Sequence, residues 1–240
     1  MLELKNINFT VDADGADKEI LKNVSLTIDS PFTAITGPNG GGKSTLAKII
    51  AGIYTPTSGK ILLDGEDITE LSVTERARRG ISFAFQQPVK FKGITVRDLI
   101  SIAAGGSVSF TRACSYLSEV GLCAKDYVDR EVNASLSGGE LKRIEIATVM
   151  ARSTALSLFD EPEAGIDLWS FGNLIKVFEN LQKKIGGSIV IISHQERILR
   201  IADRIIVLTA GEVTEDGTPD EILPHLLGGR VCPAIEEKFS

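Results

Sequence analysis

Cysteine is scarce in this chain, with only Cys114, Cys123 and Cys232 among 240 residues. An odd and sparse set of thiols is typical of a reducing compartment and offers no disulfide framework. The nine-residue step from Cys114 to Cys123 matches no common zinc or iron–sulfur spacing. We therefore predict three ordinary packing or surface thiols. The overall composition, 43% hydrophobic and 24% charged, is that of a globular domain.

Long apolar runs and an excess of positive charge are also missing. No segment approaches the ~20 apolar residues that cross a bilayer, and the first residues, MLELKNINF, show no basic-then-apolar leader. The net charge is −6, whereas a protein that neutralises nucleic-acid phosphates needs a basic surface. These absences predict a cytoplasmic protein with no nucleic-acid partner, which is peripheral at the membrane only if it binds an integral partner.

A glycine-rich run is the most informative segment that is present. Residues 37–45 read GPNGGGKST, which fits the pattern G-x-x-x-x-G-K-[ST] of a loop that wraps around nucleotide phosphates. Glycines let backbone N–H groups point at phosphate oxygens, while the lysine reaches the β- and γ-phosphates and the serine suits Mg²⁺. The predicted ATP-binding residues here are Gly37, Pro38, Asn39, Gly40, Gly41, Gly42, Lys43, Ser44 and Thr45.

Strand and helix patterns alternate around this loop. Apolar runs predict a hairpin of strands at 2–9 and 20–28 around a loop at 12–18, and further strands at 32–36, 60–63, 81–85, 155–159, 188–192 and 204–208. From Pro88 to Met150 the spacing of apolar residues is helical, with a break at Gly105 and Gly106. The alternation predicts an α/β fold with a mostly parallel sheet and a small inserted helical lobe.

Two acids follow one of the predicted strands. Residues 155–162 read ALSLFDEP, so Asp160 and Glu161 stand at the end of a buried strand. Asp160 suits Mg²⁺, usually through water, and Glu161 suits polarising or deprotonating the attacking water. An Asp–Glu pair is most often a solvated strand end, but the phosphate loop earlier in the chain favours the catalytic interpretation.

A second glycine-containing string opens a predicted helix. Residues 136–140 read LSGGE, and Ser137 is suited to be the N-cap residue. The free N–H groups and the positive end of the helix dipole also make this terminus an anion site. Capping and anion binding are compatible, so we predict both.

Together these motifs resemble the nucleotide-binding subunit of ATP-binding cassette (ABC) proteins, over roughly residues 2–224. The resemblance implies a P-loop NTPase core of ABC type, with an N-terminal antiparallel β subdomain and an inserted α-helical lobe. It implies a single domain over 1–240, with a core at about 1–87 and 151–227, a lobe at about 88–150 and a tail at 228–240. It also implies an Mg²⁺-dependent ATPase that forms a head-to-tail homodimer on ATP binding, with Ser137, Gly138 and Gly139 on the γ-phosphate held by the partner.

The resemblance extends to three further positions. Gln86, in FAFQQP, matches the glutamine that senses Mg²⁺ and the γ-phosphate, with Gln87 as the alternative if the register slips. Asp167, in AGID, matches the aspartate that faces the partner's nucleotide, and His194, in IVIISHQ, matches the switch histidine. The implied catalytic residues are therefore Glu161, His194 and Gln86, and the implied Mg²⁺ ligands are Ser44, Gln86 and Asp160.

Three positions depart from the family pattern. Val11 occupies the place where an aromatic residue often stacks on adenine, so weak adenine stacking and modest nucleotide affinity are expected. Glu140 stands where many members carry glutamine. Gly41 stands where serine or alanine is common, which predicts a less restrained loop.

The identity of the partner is open between two types of ABC protein. The strings FAFQQPV, SGGELKR and SHQERIL resemble the ATPase of the Suf iron–sulfur cluster assembly system, SufC, which pairs with a soluble β-helical scaffold of SufB or SufD type. We take this as the main interpretation. The string FKGITVRDLI is similar to ATP-binding subunits of membrane ABC transporters, which are the alternative, and the string AGID departs from the SGLD of the Suf group.

Overall fold

The computed structural model describes residues 1–13, 15–133, 135–166, 168–184 and 186–228. Cys232 and most of the predicted tail therefore lie outside the described residues. In chain order the elements are β1 (Leu2–Ala13), β2 (Ala16–Ile28), β3 (Phe32–Thr36), α1 (Lys43–Ala51), β4 (Ser58–Leu63), β5 (Glu66–Asp67), α2 (Val73–Arg78), β6 (Ile81–Ala84), α3 (Val96–Ala103), α4 (Phe110–Glu119), α5 (Ala124–Tyr127), α6 (Gly138–Arg152), β7 (Leu156–Asp160), α7 (Leu168–Lys184), β8 (Ser188–Ile192), α8 (Glu196–Leu199), β9 (Arg204–Thr209), β10 (Glu212–Gly217) and α9 (Pro219–Gly228).

Two sheets confirm the predicted α/β fold. One is antiparallel with the order β2-β1-β4-β5, and the other is mixed with the order β10-β9-β3-β8-β7-β6. In the mixed sheet, β9, β3, β8, β7 and β6 pair in parallel, and β10 runs antiparallel at the edge. Strands β3 and β7 are buried along their whole length, as expected for parallel strands covered on both faces.

Strand order in the mixed sheet determines which loops meet. The carboxyl ends of parallel strands lie at the same edge, and ligands bind in the crevice outside that edge. Residues after β3, β8, β7 and β6 therefore converge, although they lie far apart in the sequence. These four connections carry the phosphate loop, His194, Glu161 and Gln86.

Some elements differ from the sequence-based prediction. Strand pairing takes up most of the loop predicted at 12–18, because β1 and β2 pair as far as Ala13 and Ala16. Strand β10, which we did not predict, reads EVTEDG and alternates exposed and half-buried residues. Its polar composition hides the strand pattern in the sequence, and pairing with β9 supplies the missing stabilisation.

Helices α3 to α6 occupy the segment between β6 and β7 where the helical lobe was predicted. The apolar faces of α3, α4 and α6 contact one another. Their buried residues, such as Ile100, Leu117 and Ile144, join one hydrophobic cluster with Phe159 on the sheet. The lobe and core boundaries remain a prediction. Among the described residues, no helix combines the length and the apolar character needed to cross a bilayer.

One buried arginine supports the helix that follows the phosphate loop. Arg76 is 1% exposed, and its guanidinium donates to carbonyls near the carboxyl end of α1, at Ile49 (2.6 Å) and Ile50 (3.0 Å). It also donates to Thr69 (2.6 Å) and Leu71 (3.0 Å). A cation at the carboxyl end of a helix interacts favourably with the helix dipole.

Replacing this arginine is therefore expected to destabilise the fold. Arg76→Met leaves four carbonyls without their charged donor. A hydrogen bond to a charged group contributes about 1.5–3 kcal/mol to the free energy of unfolding. Because water and side-chain relaxation recover part of the loss, we expect the free energy of unfolding to fall by about 3 kcal/mol. Chemical denaturation measures it, and Arg78→Met, at an exposed position on the same helix, is the control expected to change stability by less than about 0.5 kcal/mol. Equal effects of the two substitutions would contradict the assignment.

Candidate functional site

The phosphate loop joins β3 to α1 and is held by a neighbouring strand. Gly37 has a φ of 131°, and a Cβ at this position would lie 2.1 Å from the carbonyl oxygen of Leu208. Only glycine fits such an approach of two backbones. The conformation of the phosphate loop is therefore determined by its packing against β9 as well as by its own sequence.

Gly41 is more restrained than the sequence predicted. Its N–H donates to the carbonyl of Pro38 (3.1 Å), and its own carbonyl accepts from the N–H of Gly211 (3.1 Å). A Cβ at Gly41 would lie 2.7 Å from the carbonyl oxygen of Leu208. The prediction of a less restrained loop is therefore not what the structure shows, because the turn between β9 and β10 packs against it.

Lys43 is turned onto its own loop in this structure. Its side chain is buried, and Nζ donates to the carbonyls of Gly37 (2.8 Å) and Pro38 (2.9 Å). Burial lowers the pKa of the ammonium, while Glu161 and Asp160 raise it in part. The ammonium group of Lys43 therefore lies where a phosphate group can replace these two carbonyl oxygens as its hydrogen-bond acceptor.

Ser44 and Asp160 form the second contact of the site. The Ser44 hydroxyl donates to Asp160 Oδ1 at 2.9 Å, and Asp160 is the last residue of buried β7. Burial raises the pKa of Asp160, although the hydrogen bond from Ser44 opposes this effect. A hydroxyl and a carboxylate are hard oxygen ligands of the type that Mg²⁺ prefers, so this pair fits the predicted metal site.

Glu161 lies between Gln86 and His194. Gln86 Nε2 donates to Glu161 Oε2 at 2.5 Å, and His194 Nε2 lies 3.7 Å from Glu161 Oε1. The contact supports Gln86 over the alternative Gln87 as the residue of the site. Burial lowers the pKa of His194, and Lys43 adds to this effect while Glu161 opposes it. The imidazole is therefore neutral near pH 7 and can both donate and accept hydrogen bonds.

The phosphate loop, Gln86 and Glu161 line one open cleft of about 690 Å³. The lining also includes residues of β2 and of the turn after β9, namely Lys18, Glu19, Ile20, Lys22 and Ala210. His194 lines a second cavity, together with Gly37 and Pro38 of the phosphate loop. Val11, predicted at the adenine position, does not line this cleft.

The LSGGE segment does not join this cleft. Ser137 caps α6 by accepting from the N–H of Glu140, and Glu140 accepts in return from the N–H of Ser137. This confirms the predicted N-cap and gives Glu140 a structural role, which a hydrogen bond from the Tyr127 hydroxyl reinforces. Gly138 and Gly139 open the helix. Asp167, predicted to face the partner, lies outside the described residues.

One acid near the site was missed by the sequence analysis. Glu163 follows Glu161 by two residues, and its carboxylate accepts a hydrogen bond from the Ser193 hydroxyl. The Ser193 hydroxyl in turn accepts from the N–H of Gln195 at 3.0 Å. Glu163 thus orients the Ser193 side chain, which binds the backbone on the far side of His194. An acid directly after the Asp-Glu-Pro string was visible in the sequence, but its partner was not.

The comparison with known families agrees with this geometry. Residues 21–164 match the family model described as ABC transporter. The match covers more than half of the chain, and the chain belongs to this family. It is an ABC-type ATPase, an enzyme that hydrolyses ATP.

Relatives of known sequence carry transport names. An "Uncharacterized ABC transporter ATP-binding protein MJ0035" of Methanocaldococcus jannaschii is 41% identical over 215 residues, which is 86% of each chain. The "Probable ATP-dependent transporter ycf16" of Pyropia yezoensis is 34% identical over 91% of each chain. The "Sulfate/thiosulfate import ATP-binding protein CysA" of Brucella melitensis is 36% identical over 84% of this chain and 58% of its own length.

A solved structure shows the same fold. The dimeric post-hydrolysis state of the ATP-binding cassette MJ0796, bound to ADP and Pi, superposes with a TM-score of 0.82. It is 28% identical in sequence, and the match covers 91% of this chain and 99% of that one.

Burial of Glu163 predicts a specific pH dependence. Burial raises the pKa of this carboxyl above its ordinary value of 4.5, and the bond from Ser193 only opposes the effect. Between about pH 4.5 and the folded-state pKa, the folded chain binds more protons than the unfolded chain, so stability falls as pH rises. Glutamine does not titrate, so Glu163→Gln lacks this loss of stability. The unfolding free energy of the variant minus that of the wild type should therefore rise with pH across this window and then level off.

Denaturant unfolding of the nucleotide-free protein from pH 4.5 to 8 measures this difference. Glu179→Gln, an exposed position on α7, is the control that should show no trend. A flat difference for Glu163→Gln as well would show that the carboxylate is not desolvated.

Proposed function

We propose that this chain is the ATP-hydrolysing subunit of a membrane ABC transporter, and that it works as a head-to-tail homodimer. One arrangement carries the proposal: Lys43, Ser44 and Glu161 line a single cleft, and His194 Nε2 lies 3.7 Å from Glu161 Oε1. The transport names of the relatives support the choice of a membrane partner.

Nucleotide binding exchanges the contacts of the free site. Lys43 leaves the two loop carbonyls and binds the β- and γ-phosphates, while the loop N–H groups surround the phosphate oxygens. Glu161 is held by Gln86 in the free structure. When Gln86 turns towards the γ-phosphate, Glu161 is released to accept a proton from the attacking water. Neutral His194 donates a hydrogen bond to the charge that develops on the phosphate.

Mg²⁺ would be held by Ser44, Asp160 and Gln86, and when bound it neutralises charge on the phosphates. Because burial disfavours the Asp160 carboxylate, a bound cation also stabilises the ionised form of this side chain. Ser44 keeps Asp160 oriented before the metal arrives.

A second copy completes the site. The N-terminus of α6, with Ser137, Gly138 and Gly139, is absent from the residues that line the cleft, although it has the free N–H groups that suit a phosphate. A head-to-tail dimer brings these groups onto the γ-phosphate held by the other copy. The dimeric state of the solved cassette with ADP and Pi supports this arrangement.

An apolar groove next to Gln86 is proposed to receive the membrane partner. It is a cavity of about 180 Å³ between the sheet and α6, and its lining includes Phe83, Phe85, Val89, Leu99 and Val149. Phe85 is 40% exposed and Val89 is 48% exposed. Exposed apolar surface of this kind marks an interaction site, and an apolar helical segment of an integral subunit fits it.

A soluble scaffold of SufB or SufD type is the second candidate partner. The strings FAFQQPV, SGGELKR and SHQERIL favour it through their resemblance to the Suf ATPase. They include Phe85 of the groove, Lys142 of α6 and His194, which lies beside Glu161. The iron–sulfur assembly role and the transport role therefore use the same ATP-hydrolysing site, and they differ only in the protein that binds the groove.

Removing the proposed base should separate binding from hydrolysis. Glu161→Gln keeps the hydrogen bonding of the side chain but cannot take a proton, so turnover should fall at least 100-fold while ATP still drives dimerisation. A phosphate-release assay and light scattering with ATP and Mg²⁺ measure the two steps. Lys43→Ala, the matched control, should lose nucleotide binding and the dimer together. Wild-type turnover by Glu161→Gln would refute the assignment of the base.

Partner capture tests the choice of partner. Tagged Glu161→Gln chain is expressed in its native cells, and what it retains with ATP is identified in the soluble and membrane fractions. An integral membrane protein is the expected result, and a soluble β-helical scaffold would establish the second candidate. Val89→Glu puts a charge into the groove. Added to the tagged Glu161→Gln chain, it should abolish capture, and as a single substitution it should leave basal ATPase activity unchanged. Undiminished capture by Val89→Glu would exclude the groove.

A further inference from the structure

A buried lysine on α6 is not used by the site described so far. Lys142 is 1% exposed and lies on the face of α6 that packs against β6. Its Nζ donates to the backbone carbonyl of Phe85 and also lies within 3.5 Å of the carbonyl of Gln86. A buried ammonium is costly unless it is paired and hydrogen-bonded.

The counter-charge of this lysine comes from the next turn of the same helix. Glu145 Oε2 lies 3.0 Å from Lys142 Nζ, and Glu145 Oε1 accepts from the N–H of Phe85 at 3.0 Å. The two side chains therefore grip both backbone polar groups of one residue. We call this set the α6 clamp: Lys142, Glu145 and the backbone of Phe85.

The position of the clamp connects two distant groups. Lys142 lies five residues after Ser137, on one continuous helix of 15 residues. Phe85 directly precedes Gln86, whose side chain bonds to Glu161. Strand β6 ends at Ala84, and the described residues Phe85 and Gln86 pair with no strand. The clamp therefore anchors the backbone that leads to Gln86.

We propose that the α6 clamp is a positioning device that couples the two nucleotide sites of a dimer, so that contact of Ser137 with the partner's ATP sets the position of Gln86 against Glu161 in its own copy. This inference rests on the proposed head-to-tail dimer. A movement of α6 displaces the backbone next to Gln86 through the buried contacts of the clamp. Lys142 and Glu145 do not need to change their side-chain rotamers for this. Because both partners of the clamp are on α6, the Phe85 backbone follows the helix as one body.

The clamp is expected to act on hydrolysis more than on binding. Lys142→Met keeps the length and apolar stem of the side chain but releases the Phe85 carbonyl. Phosphate-loop contacts are untouched, so KM should stay within about threefold, while kcat should fall at least about tenfold because Gln86 no longer follows α6. The Hill coefficient for ATP should fall towards 1, since each site then reacts without regard to the other.

Four variants make the test specific. Glu145→Gln keeps an acceptor for the Phe85 N–H and should retain more kcat than Glu145→Ala. The double variant Lys142→Met/Glu145→Ala should be no slower than the slower single variant, as for residues that act as a unit. Lys125→Met removes an exposed lysine of the same lobe and should behave as wild type. If Lys142→Met folds poorly, the comparison of Glu145→Gln with Glu145→Ala still decides the question.

The outcomes separate this inference from the proposed dimer. ATP-driven dimerisation is measured by light scattering on Glu161→Gln, with and without Lys142→Met. A dimer in both cases, together with the loss of kcat and of cooperativity, supports the clamp. Wild-type kcat and Hill coefficient in folded Lys142→Met overturn the clamp and leave the dimer standing. Absence of a dimer for Glu161→Gln itself overturns the dimer, whatever the clamp does.

Discussion

Parallel pairing of β3 with β8, and of β8 with β7, is the constraint on which the site depends. The three strands end at one edge with aligned registers, Ile35 opposite Ile192 and Asp160 opposite the same residue. Each strand is an apolar run that is stable only when both of its faces are covered. The burial that holds the sheet together therefore also brings the phosphate loop, Asp160, Glu161 and His194 close to one another.

Charge in the free site is balanced before any nucleotide arrives. Lys43 rests on loop carbonyls, Ser44 on Asp160 and Gln86 on Glu161. Because each group already has a partner, ATP in the proposed function replaces these contacts and does not need to compensate unpaired buried charges. The replacement is selective, since only a ligand with several negative oxygens can satisfy Lys43 and the loop N–H groups together.

Two further contacts extend this balance beyond the cleft. Glu163 binds the Ser193 hydroxyl, which accepts from the N–H of Gln195, and Lys142 with Glu145 holds the backbone before Gln86. In both cases a buried charged side chain orients groups next to a residue of the site, directly at Phe85 and through Ser193 at Gln195. Such contacts are costly to form in an apolar environment, which makes them better suited to fixing a geometry than to stabilising the fold. The groove lies beside the second of these contacts, so a partner seated there touches the same segment as α6.

Local patterns in the sequence determined the phosphate loop, the α/β class, the acids at the end of β7 and the cap at Ser137. Each of these depends on the spacing or chemistry of neighbouring residues, which is visible without the fold. The tertiary structure decided how far β1 and β2 pair, the pairing of β10, the restraint on Gly41 by Leu208 and the partners of Arg76, Lys142 and Glu163. The contacts of the last four residues include partners far apart in the chain. The geometry of all these features is set by sheet register and helix packing, which no local pattern encodes.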